Sequence, residues 1–483
     1  MKNIEAKQIP SLIVAIASYG RAQDHYLESV LSEYRKVNGQ KQIVVLSDRP
    51  KPVNGAEVVA GLPSRNPYSL PFAHKRLFAD NLGRFDLFVY TEDDTLLTKR
   101  NIEDFLEVQA KLEENEILGF VRSEVSQEGR MYVTSIHSHF RWHPDTVVER
   151  GGELFAELSN QHSGCFIATR QQLNKAIASG GFLVKPYMGT YGMLEGAASD
   201  IYTRCGFRRL ICISRIHDFI VPHLPNKYYQ KMGIPLEEFE FQVRFLRNLY
   251  QNGHWRGSLF NPQTKLPGFR GSKSLFEQPD EKLLGLIPGS TTRLLSLGCG
   301  WGENESWLSR NGFDVTAVPI DPVFGDALRR RGITSIEGPF DKVIEELGDR
   351  PFDAVLLVDV LHLVEKPLDW LQKISNLLSP GGCLIASVSN VSELLSWVSD
   401  WRDGRRRPLH PDHKTYLAHS VSARQLRHWF RCVGLKIAHF DTDLGGPRRI
   451  IRTLGLKALQ PAFATRFIVV AQRTSQADQF KSL

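Results

Sequence analysis

Short apolar runs alternate with amphipathic stretches along the first half of the 483-residue chain. The runs SLIVAIAS, KQIVVLSD and FDLFVYTEDD predict strands, and DHYLESVLSEYRKV and FAHKRLFADNL predict the helices that connect them. Strands that alternate with helices are typical of a mostly parallel sheet with helices on its faces. Ligands of such sheets bind beyond the carboxyl ends of the strands, where Ser18, Asp48 and the acids at 92–94 are expected.

A second alternation begins near residue 281. TRLLSLGCG, DVTAVPID, FDAVLLVDVL, CLIASVS and RFIVVAQR predict strands, and ENESWLSRNG, FGDALRRRG, PLDWLQKISNLLSPGG and SARQLRHWFRCVG predict helices. The stretch between the two parts, NGHWRGSLFNPQTKLPGFRGSKS, is rich in Gly, Pro, Ser and basic residues and has no apolar period. We therefore predict a first domain at 1–251, a linker at 252–280, a second domain at 281–475 and a tail at 476–483.

Composition narrows the protein class only slightly. The apolar fraction of 42% is sufficient for two cores, and the net charge of +7 suits anionic substrates without indicating nucleic acid. The six cysteines show no CxxC pair and no zinc-ligand spacing, so we expect reduced thiols and a cytoplasmic protein. No apolar run has the length of a transmembrane segment. Peripheral association with a membrane and the oligomeric state stay open.

Three consecutive carboxylates, Glu92, Asp93 and Asp94, follow the third predicted strand. A hard cation such as Mg²⁺ or Mn²⁺ takes one or two carboxylates from protein and completes its shell with phosphate oxygens and water. A metal and diphosphate site is therefore one explanation of the three acids. An ordinary solvated turn is the other.

The segments IVAIASYGRAQ, VVLSD and FVYTEDDTLLT resemble, in order and spacing, the first strand, second strand and Asp-x-Asp-type metal turn of GT-A glycosyltransferases. The resemblance covers about 240 residues and implies metal-dependent transfer from a nucleotide-sugar donor to a glycan acceptor. It places Asp93 and Asp94 next to Mn²⁺ or Mg²⁺. The donor contacts that it implies are Ser18, Arg21, Asp48, Lys75, Arg76 and Glu92.

The same resemblance implies a base and a further metal ligand. Asp200, or as second choice Glu195, falls where inverting members keep the carboxylate that deprotonates the acceptor hydroxyl. A helix cap or a surface position is the alternative for both. A late histidine completes the metal shell in many members, and His217 is better placed than His223 because it directly follows a predicted strand.

The second half carries a glycine-rich turn, LLSLGCGWGENES, between a predicted strand and a predicted helix. Glycine is needed where the backbone turns tightly and approaches a ligand closely. The GxGxG spacing, with FDAVLLVDVLHLVEKP and LLSPGGCLIASVSN, resembles class I S-adenosylmethionine-dependent methyltransferases over roughly 190 residues. The cofactor contacts that this resemblance implies are Gly298, Gly300, Gly302, Asp321, Asp341 and Asp359.

The second half also departs from that family. Ser296 stands where the first strand usually carries an acid, and Pro319 and Pro339 stand where two further acids are usual. Each lost contact with the cofactor costs about 1–3 kcal/mol. His362 and His419 are the candidate bases for a hydroxyl acceptor, with a structural role as the alternative.

The sequence therefore predicts an α/β protein of two domains, a GT-A mixed sheet followed by a Rossmann-like methyltransferase sheet. The predicted function is glycosyl transfer from a nucleotide-sugar together with O-methylation of a sugar or glycan. A glycosyltransferase whose second domain only binds an acceptor or a partner is one alternative. A non-catalytic scaffold is the other.

Overall fold

A computed structural model describes residues 9–253, 256–445, 448, 453–454 and 456–473. The chain divides into two compact units, Met1–His254 and Trp255–Leu483. Residues 256–280, where composition predicts a linker, belong to the second unit and bond to the turns that follow β14 and β15. The amide of Leu259 donates to the carbonyl of Ile320 at 2.8 Å, and that of Trp301 donates to the carbonyl of Leu275 at 2.8 Å.

The first unit contains thirteen strands and six α-helices among its described residues. The strands are β1 (Leu12–Ser18), β2 (Lys41–Ser47), β3 (Glu57–Ala60), β4 (Leu87–Glu92), β5 (Glu116–Leu118), β6 (Val121–Val125), β7 (Met131–Val133), β8 (Trp142–Arg150), β9 (Glu153–Leu158), β10 (Cys165–Thr169), β11 (Arg208–Cys212), β12 (Ile220–Pro222) and β13 (Ile234–Pro235). The helices are α1 (Asp24–Arg35), α2 (Ala73–Asp80), α3 (Lys99–Gln109), α4 (Arg170–Ala178), α5 (Met193–Thr203) and α6 (Leu236–Asn252).

The main sheet of the first unit has the strand order β10-β4-β1-β2-β3. Its strands β1 to β4 are parallel, and β10 runs antiparallel to β4. Ser18 pairs with Ser47 across β1 and β2, and Ala17 pairs with Glu92 across β1 and β4. The carboxyl ends of three neighbouring strands therefore meet at one edge. Two four-stranded sheets, β5-β11-β9-β8 and β12-β6-β7-β13, complete the unit.

Strand β1 is buried on both faces, which explains its unbroken apolar run. Leu12, Val14 and Ile16 pack in one hydrophobic cluster, with α1, while Ile13 and Ala15 pack in the cluster on the opposite face. The acidic segment follows the fourth strand along the chain, whereas the apolar pattern predicts the third. The extra strand is β3, a short and largely exposed edge strand without a buried alternation.

The second unit contains seven strands and nine α-helices among its described residues. The strands are β14 (Arg293–Cys299), β15 (Asp314–Pro319), β16 (Thr334–Ser335), β17 (Phe352–Val358), β18 (Leu378–Ser389), β19 (Leu435–Asp443) and β20 (Arg466–Arg473). The helices are α7 (Glu281–Leu284), α8 (Glu303–Arg310), α9 (Pro322–Arg330), α10 (Phe340–Leu347), α11 (Pro367–Leu377), α12 (Leu394–Arg402), α13 (His413–Tyr416), α14 (Ala423–Cys432) and α15 (Gln460–Phe463).

The second unit is built on one seven-stranded sheet, which confirms the predicted Rossmann-like arrangement. Its order is β16-β15-β14-β17-β18-β20-β19, with β14 to β18 parallel and β20 antiparallel to both of its neighbours. The chain order reverses at β14, because β15 lies on one side of it and β17 on the other. Such a switch point opens a crevice at the carboxyl end of the strand. No helix among the described residues combines the length and apolar character needed to cross a membrane.

A close backbone approach in the first unit generates a stability prediction. The buried Arg209 donates to the carbonyls of Asn160, at 2.8 Å, and Phe120, and a Cβ at Gly119 would collide with its Nε. We expect Gly119→Ala to destabilise the first unit by about 1–3 kcal/mol, because the pinned guanidinium has no free space to move into. Calorimetry should show the corresponding melting transition lowered by about 2–10 °C.

The matched control is Gly83→Ala. No heavy atom lies within 4 Å of a Cβ at Gly83. We expect its melting temperature to stay close to that of the unchanged protein, because substitutions at such open surface sites usually change stability by less than about 0.5 kcal/mol. Equal melting temperatures for both variants would contradict the packing described at Gly119.

Candidate functional sites

Asp93 and Asp94, at the carboxyl end of β4, are buried, and Glu92 is half-buried, so the acids do not form a solvated turn. The Oγ of Ser18 donates to Asp93 Oδ2 at 2.6 Å. Behind Ser18, the Nζ of the buried Lys51 donates to that same Oγ at 2.6 Å and to Asp24 Oδ1 at 2.8 Å. One side of the Asp93 carboxylate is therefore fixed by the ends of β1 and β2.

The second acid, Asp94, contacts a histidine that is itself held by a carboxylate. His223 Nε2 lies 3.3 Å from Asp94 Oδ2, and His223 Nδ1 lies 2.5 Å from Glu124 Oε1. The other oxygen of Glu124 accepts the backbone N–H groups of Tyr228 and Tyr229. The imidazole is thus fixed between two acids, with no freedom to rotate away from Asp94.

His217, the preferred metal ligand of the sequence analysis, does not lie at these acids. Its side chain is 64% exposed, and its Nε2 lies 3.2 Å from Glu240. The apolar pattern misplaced the strand end, because a 3₁₀ turn covers Ile216–Phe219 and β12 follows it. His223 comes directly after β12 and therefore takes the position that was assigned to His217.

The predicted metal site is not supported as a resident ion. Across the described residues, no three His, Cys, Asp or Glu side chains are grouped so that they could hold a metal. One oxygen of Asp93 accepts from Ser18, and one of Asp94 contacts His223. The protein side chains therefore do not supply a complete shell for Mn²⁺ or Mg²⁺.

Asp200 is a buried structural carboxylate in this structure. It forms an ion pair with Lys75, which is also buried, and Tyr187 Oη donates to Asp200 Oδ1 at 2.5 Å. Neither Lys75 nor Asp200 is therefore available to a donor phosphate or an acceptor hydroxyl. Glu195, the second choice, interacts with the acidic turn. Burial is the largest cause that raises the pKa of Glu92, and the charges of Asp94 and Glu195 raise it further.

The remaining predicted donor contacts, Asp48, Arg21 and Arg76, differ in how far they are exposed to solvent. Asp48 Oδ1 accepts the backbone N–H of Gly20 at 2.8 Å, which holds the turn after β1 against the end of β2. Arg21 is exposed in that turn. Arg76 is exposed on α2, where its Nε donates to Asp80 at 2.9 Å. Of these three side chains, only Asp48 is fixed at the sheet edge.

Titration of Asp93 generates a prediction about pH and stability. Burial raises the pKa of Asp93 to about 7, from an ordinary value near 4. The folded protein therefore keeps a proton that the unfolded chain releases, so this group lowers the free energy of unfolding as pH rises from about 4 to 7. We expect Asp93→Asn to stabilise the first unit more at pH 8 than at pH 5, by about 1–3 kcal/mol.

Thermal unfolding at the two pH values measures this difference. Asp80→Asn is the control, because Asp80 is an exposed acid on α2 and its replacement should have the same small effect at both values. A stabilisation by Asp93→Asn that does not change between pH 5 and pH 8 would show that Asp93 titrates like an ordinary surface acid.

In the second unit, the glycine-rich turn lies at the switch point between β14 and α8. Gly302 has a φ of +92° at the start of α8, a conformation that favours glycine. Gly300 faces the backbone of Leu275, whose carbonyl accepts the N–H of Trp301, and a Cβ at Gly300 would collide with that carbonyl. A segment from the region predicted as a linker therefore lies directly against the glycine turn.

A small pocket with a cavity volume of about 20 Å³ lies between this segment and the turn. Lys273 is the single cationic group among its lining residues, against the carboxylates of Glu277, Glu303 and Glu305. The excess of negative charge suits a ligand that carries positive charge. The residues that line the pocket are Lys273–Leu275, Glu277, Ser296–Glu305 and Val358.

Glu305 supplies the buried acid that the first strand of the sheet lacks. The Oγ of Ser296 in β14 donates to Glu305 Oε1 at 2.5 Å, and both residues are buried beneath the glycine turn. Burial raises the pKa of Glu305. A side chain from the first turn of α8 therefore brings a carboxylate next to position 296, where the sequence resemblance leads us to expect an acid.

The three aspartates predicted as cofactor contacts lie apart from one another. Asp321 Oδ1 accepts the N–H groups of Val323 and Phe324 and caps α9. Asp341 is exposed on α10 and forms an ion pair with Lys373 at 2.7 Å. Neither aspartate is among the residues that line the pocket.

Asp359 is the one of the three that follows a strand lining the pocket. It comes directly after Val358, the last residue of β17, and has a φ of +52°. The Oγ of Ser389 donates to Asp359 Oδ1 at 3.1 Å. Burial and this bond hold the carboxylate beside the pocket edge.

The two candidate bases of the second unit do not line the pocket either. His362 is fully buried, its Nε2–H donates to the carbonyl of Gly271 at 2.7 Å, and its Nδ1 has no hydrogen-bond partner among the described residues. Burial lowers the pKa of His362, so the ring stays neutral. His419 Nε2 lies 3.1 Å from the carbonyl of Val364.

Sequence reasoning missed Lys273, Glu277 and Glu305 as pocket residues. Lys273 and Glu277 lie in the stretch predicted as a linker, whose Gly and Pro content hides its contact with the turn. Glu305 lies two residues after the first residue of α8, on the face of the helix directed at β14. The absence of an acid at position 296 could have directed attention to Glu305, because a nearby carboxylate can occupy the same place.

A family model described as a methyltransferase domain matches residues 272–439. The second unit contains a class I methyltransferase domain. An uncharacterized methyltransferase of Mycobacterium tuberculosis is 32% identical over 124 residues, which are 25% of this chain and 50% of the relative. A ubiquinone biosynthesis O-methyltransferase of Xylella fastidiosa is 31% identical over 109 residues, 22% of this chain and 44% of the relative.

The chain thus spans about half the length of the curated relatives that it matches. Among solved structures, a crystal structure of an S-adenosylmethionine dependent methyltransferase from Mesorhizobium loti is similar, with 21% identity and a TM-score of 0.31. That match covers 40% of this chain and 96% of the other. The matched family region begins at residue 272 and so includes the segment of Lys273 and Glu277.

Proposed function

We propose that the methyltransferase domain binds S-adenosylmethionine in the glycine-turn pocket and transfers its methyl group to a hydroxyl acceptor. The observation that carries the proposal is the pocket itself, which lies at the switch point of a parallel sheet and between a glycine turn and the first turn of α8. Ligands of doubly wound sheets bind at this position. When bound, S-adenosylmethionine supplies a methyl group on a positively charged sulfur.

The charges of the pocket support a cofactor that carries a sulfonium and an ammonium group. A carboxylate that is buried without a cation is unfavourable, and a nearby positive charge lowers that cost. Glu305 is a buried carboxylate whose bonded partner is a serine hydroxyl; burial raises its pKa, and the charges of Lys273 and Arg331 offset part of that rise. The Nζ of Lys273 donates to the carbonyl of Val358.

Methyl transfer would break the bond between the methyl carbon and the sulfonium sulfur, leave neutral S-adenosylhomocysteine and release the proton of the acceptor hydroxyl to solvent. His362 Nδ1 has a free lone pair, but the buried ring reaches no solvent, so an acceptor would have to enter the apolar core to contact it. We therefore assign His362 a positioning role, in which its Nε2–H holds the carbonyl of Gly271, two residues before Lys273. We include a saccharide among the possible acceptors, because the second activity proposed below, for the first unit, also acts on a saccharide.

Exchange of the buried acid tests the cofactor site. We expect Glu305→Gln to weaken binding of S-adenosylmethionine by about tenfold or more, because the amide keeps the bond to Ser296 and removes only the charge. Adding Ser296→Asp to that variant should restore much of the affinity, since it returns a carboxylate to the same place. Titration calorimetry with S-adenosylmethionine and S-adenosylhomocysteine measures both effects.

Glu345→Gln is the control, because Glu345 is exposed on α10 and away from the pocket lining. It should bind the cofactor like the unchanged protein. No heat from the unchanged protein with either compound at high micromolar concentration would contradict the proposal. The domain would then be a degenerate one that binds an acceptor or a partner.

A specific observation favours a second activity for the first unit. We propose that it binds a nucleotide-sugar and transfers the glycosyl group to a saccharide acceptor. Ser18, Asp48, Asp93 and Asp94 meet at the carboxyl ends of the neighbouring parallel strands β1, β2 and β4. Mg²⁺ and Mn²⁺ are commonly held by one or two carboxylates plus substrate phosphates. A metal ion at this edge would therefore arrive with the diphosphate of the donor.

Thermal shifts test this second activity. We expect at least one uridine, guanosine or thymidine diphosphate sugar to raise the melting temperature of the first unit by about 2–8 °C at 100 times its dissociation constant, more strongly with Mn²⁺ present. Asp94→Asn should abolish the contribution of Mn²⁺. Asp80→Asn should leave it unchanged. If the shifts of the unchanged protein and both variants are identical with and without Mn²⁺, Asp93 and Asp94 do not bind a metal at a donor site.

A further inference from the structure

Helix α12 presents an exposed apolar face in the methyltransferase domain. Leu395, Val398 and Trp401 are 42%, 47% and 68% exposed, and their spacing of three residues places them along one side of the helix. Large apolar side chains grouped on one exposed face are uncommon on a soluble domain and mark an interaction site.

The helix is firmly attached to the domain by its other face, so its apolar side is not exposed through loose packing. Asp400 is buried and accepts bonds from Arg407 at 2.7 Å and from Arg270 at 3.1 Å. Glu393 caps the first turn through the amides of Leu395 and Ser396. The exposed face is therefore a fixed feature of the surface.

A second group of exposed apolar side chains comes from residues just ahead of α15. Leu454, Leu456 and Leu459 are all exposed, and α15, which follows them, contacts α12. We call the two groups together the α12 surface: Leu395, Val398, Trp401, Leu454, Leu456 and Leu459. The second group therefore belongs to the segment that leads directly into a helix packed against α12.

Positive charge is concentrated in the same part of the sequence. Residues 394–473 contain fifteen Lys and Arg against five Asp and Glu, whereas the excess over the whole chain is only seven. Arg402 and Arg406 are exposed directly after Trp401, and Lys457 is exposed between Leu456 and Leu459. Arg402 also lies 3.9 Å from Asp403, a pair too long and too exposed to cancel its charge. Exposed cations therefore stand next to both apolar groups in the sequence.

We propose that the α12 surface docks on the surface of an anionic phospholipid bilayer. Leucine, valine and tryptophan side chains enter the boundary between head groups and acyl chains, where tryptophan is especially favoured. Arginine and lysine beside them are attracted by anionic head groups, and several such charges add up. The chain would lie on the bilayer without crossing it, and this docking does not depend on whether the domain transfers a methyl group.

Vesicle sedimentation with the full chain tests the proposal. The probes are vesicles of phosphatidylcholine alone and vesicles with one third phosphatidylglycerol. We expect binding to the anionic vesicles, with affinity falling as salt rises. The variant Leu395→Ser/Val398→Ser/Trp401→Ser should bind at least about tenfold more weakly, and Arg402→Glu/Arg406→Glu should show a comparable loss.

Leu368→Ser and Arg350→Glu are the matched controls, because these residues are exposed on the same unit but outside the α12 surface. Both should bind like the unchanged protein. Brominated lipids should quench the fluorescence of the unchanged protein more than that of Trp401→Phe, which reports contact of this one side chain with the bilayer.

Three results would overturn the proposal. They are no binding to anionic vesicles, equal binding by the serine variant, and equal quenching with and without Trp401. Sedimentation velocity distinguishes membrane docking from the alternative, in which a second copy of the chain covers this surface. If the serine substitutions convert a dimer of the unchanged protein to a monomer, the α12 surface is a contact between two copies and not a membrane surface.

Discussion

Both candidate sites depend on the same constraint, which is that neighbouring parallel strands end at the same edge of a sheet. In the first unit this brings the ends of β1, β2 and β4 together, so that Ser18 contacts Asp93 although the two are 75 residues apart in the chain. In the second unit it places the glycine turn after β14 beside Val358 at the end of β17. Without these parallel ladders, neither group of polar side chains would converge.

The two sites also share an electrostatic character. Each contains acids whose charged form is disfavoured by burial. The pKa values of Glu92, Asp93 and Glu305 are all raised for this reason. Buried carboxylates lower the stability of an empty protein and bind cations well, because a positive charge compensates for the lost water. At the first site, the proposed cation is a metal ion that would bind together with the diphosphate of the donor. At the second site, the proposed positive charge is carried by S-adenosylmethionine itself.

Much of the fold could be predicted from the sequence, because buried parallel strands such as β1 and β17 are continuous apolar runs. Edge strands such as β3 carry no such pattern and were missed. The glycine turn was found, but Lys273 and Glu277 were not, since their contact with it joins distant parts of the chain. His217 was preferred to His223 because a 3₁₀ turn and a short strand cannot be told apart by apolar content. The ion pair of Asp200 with Lys75 could not be predicted, because the two residues are remote in sequence.

The bond between Ser296 and Glu305 has a consequence for how such a domain changes over generations. A chain with acids at both positions would place two carboxylates in one buried spot, where they would have to share a proton. A chain with neither would leave the pocket without its acid. Moving the carboxylate from strand to helix one substitution at a time would pass through one of these two states. In this chain the hydroxyl of Ser296 donates to Glu305 and so stabilises the acid in its position on the helix.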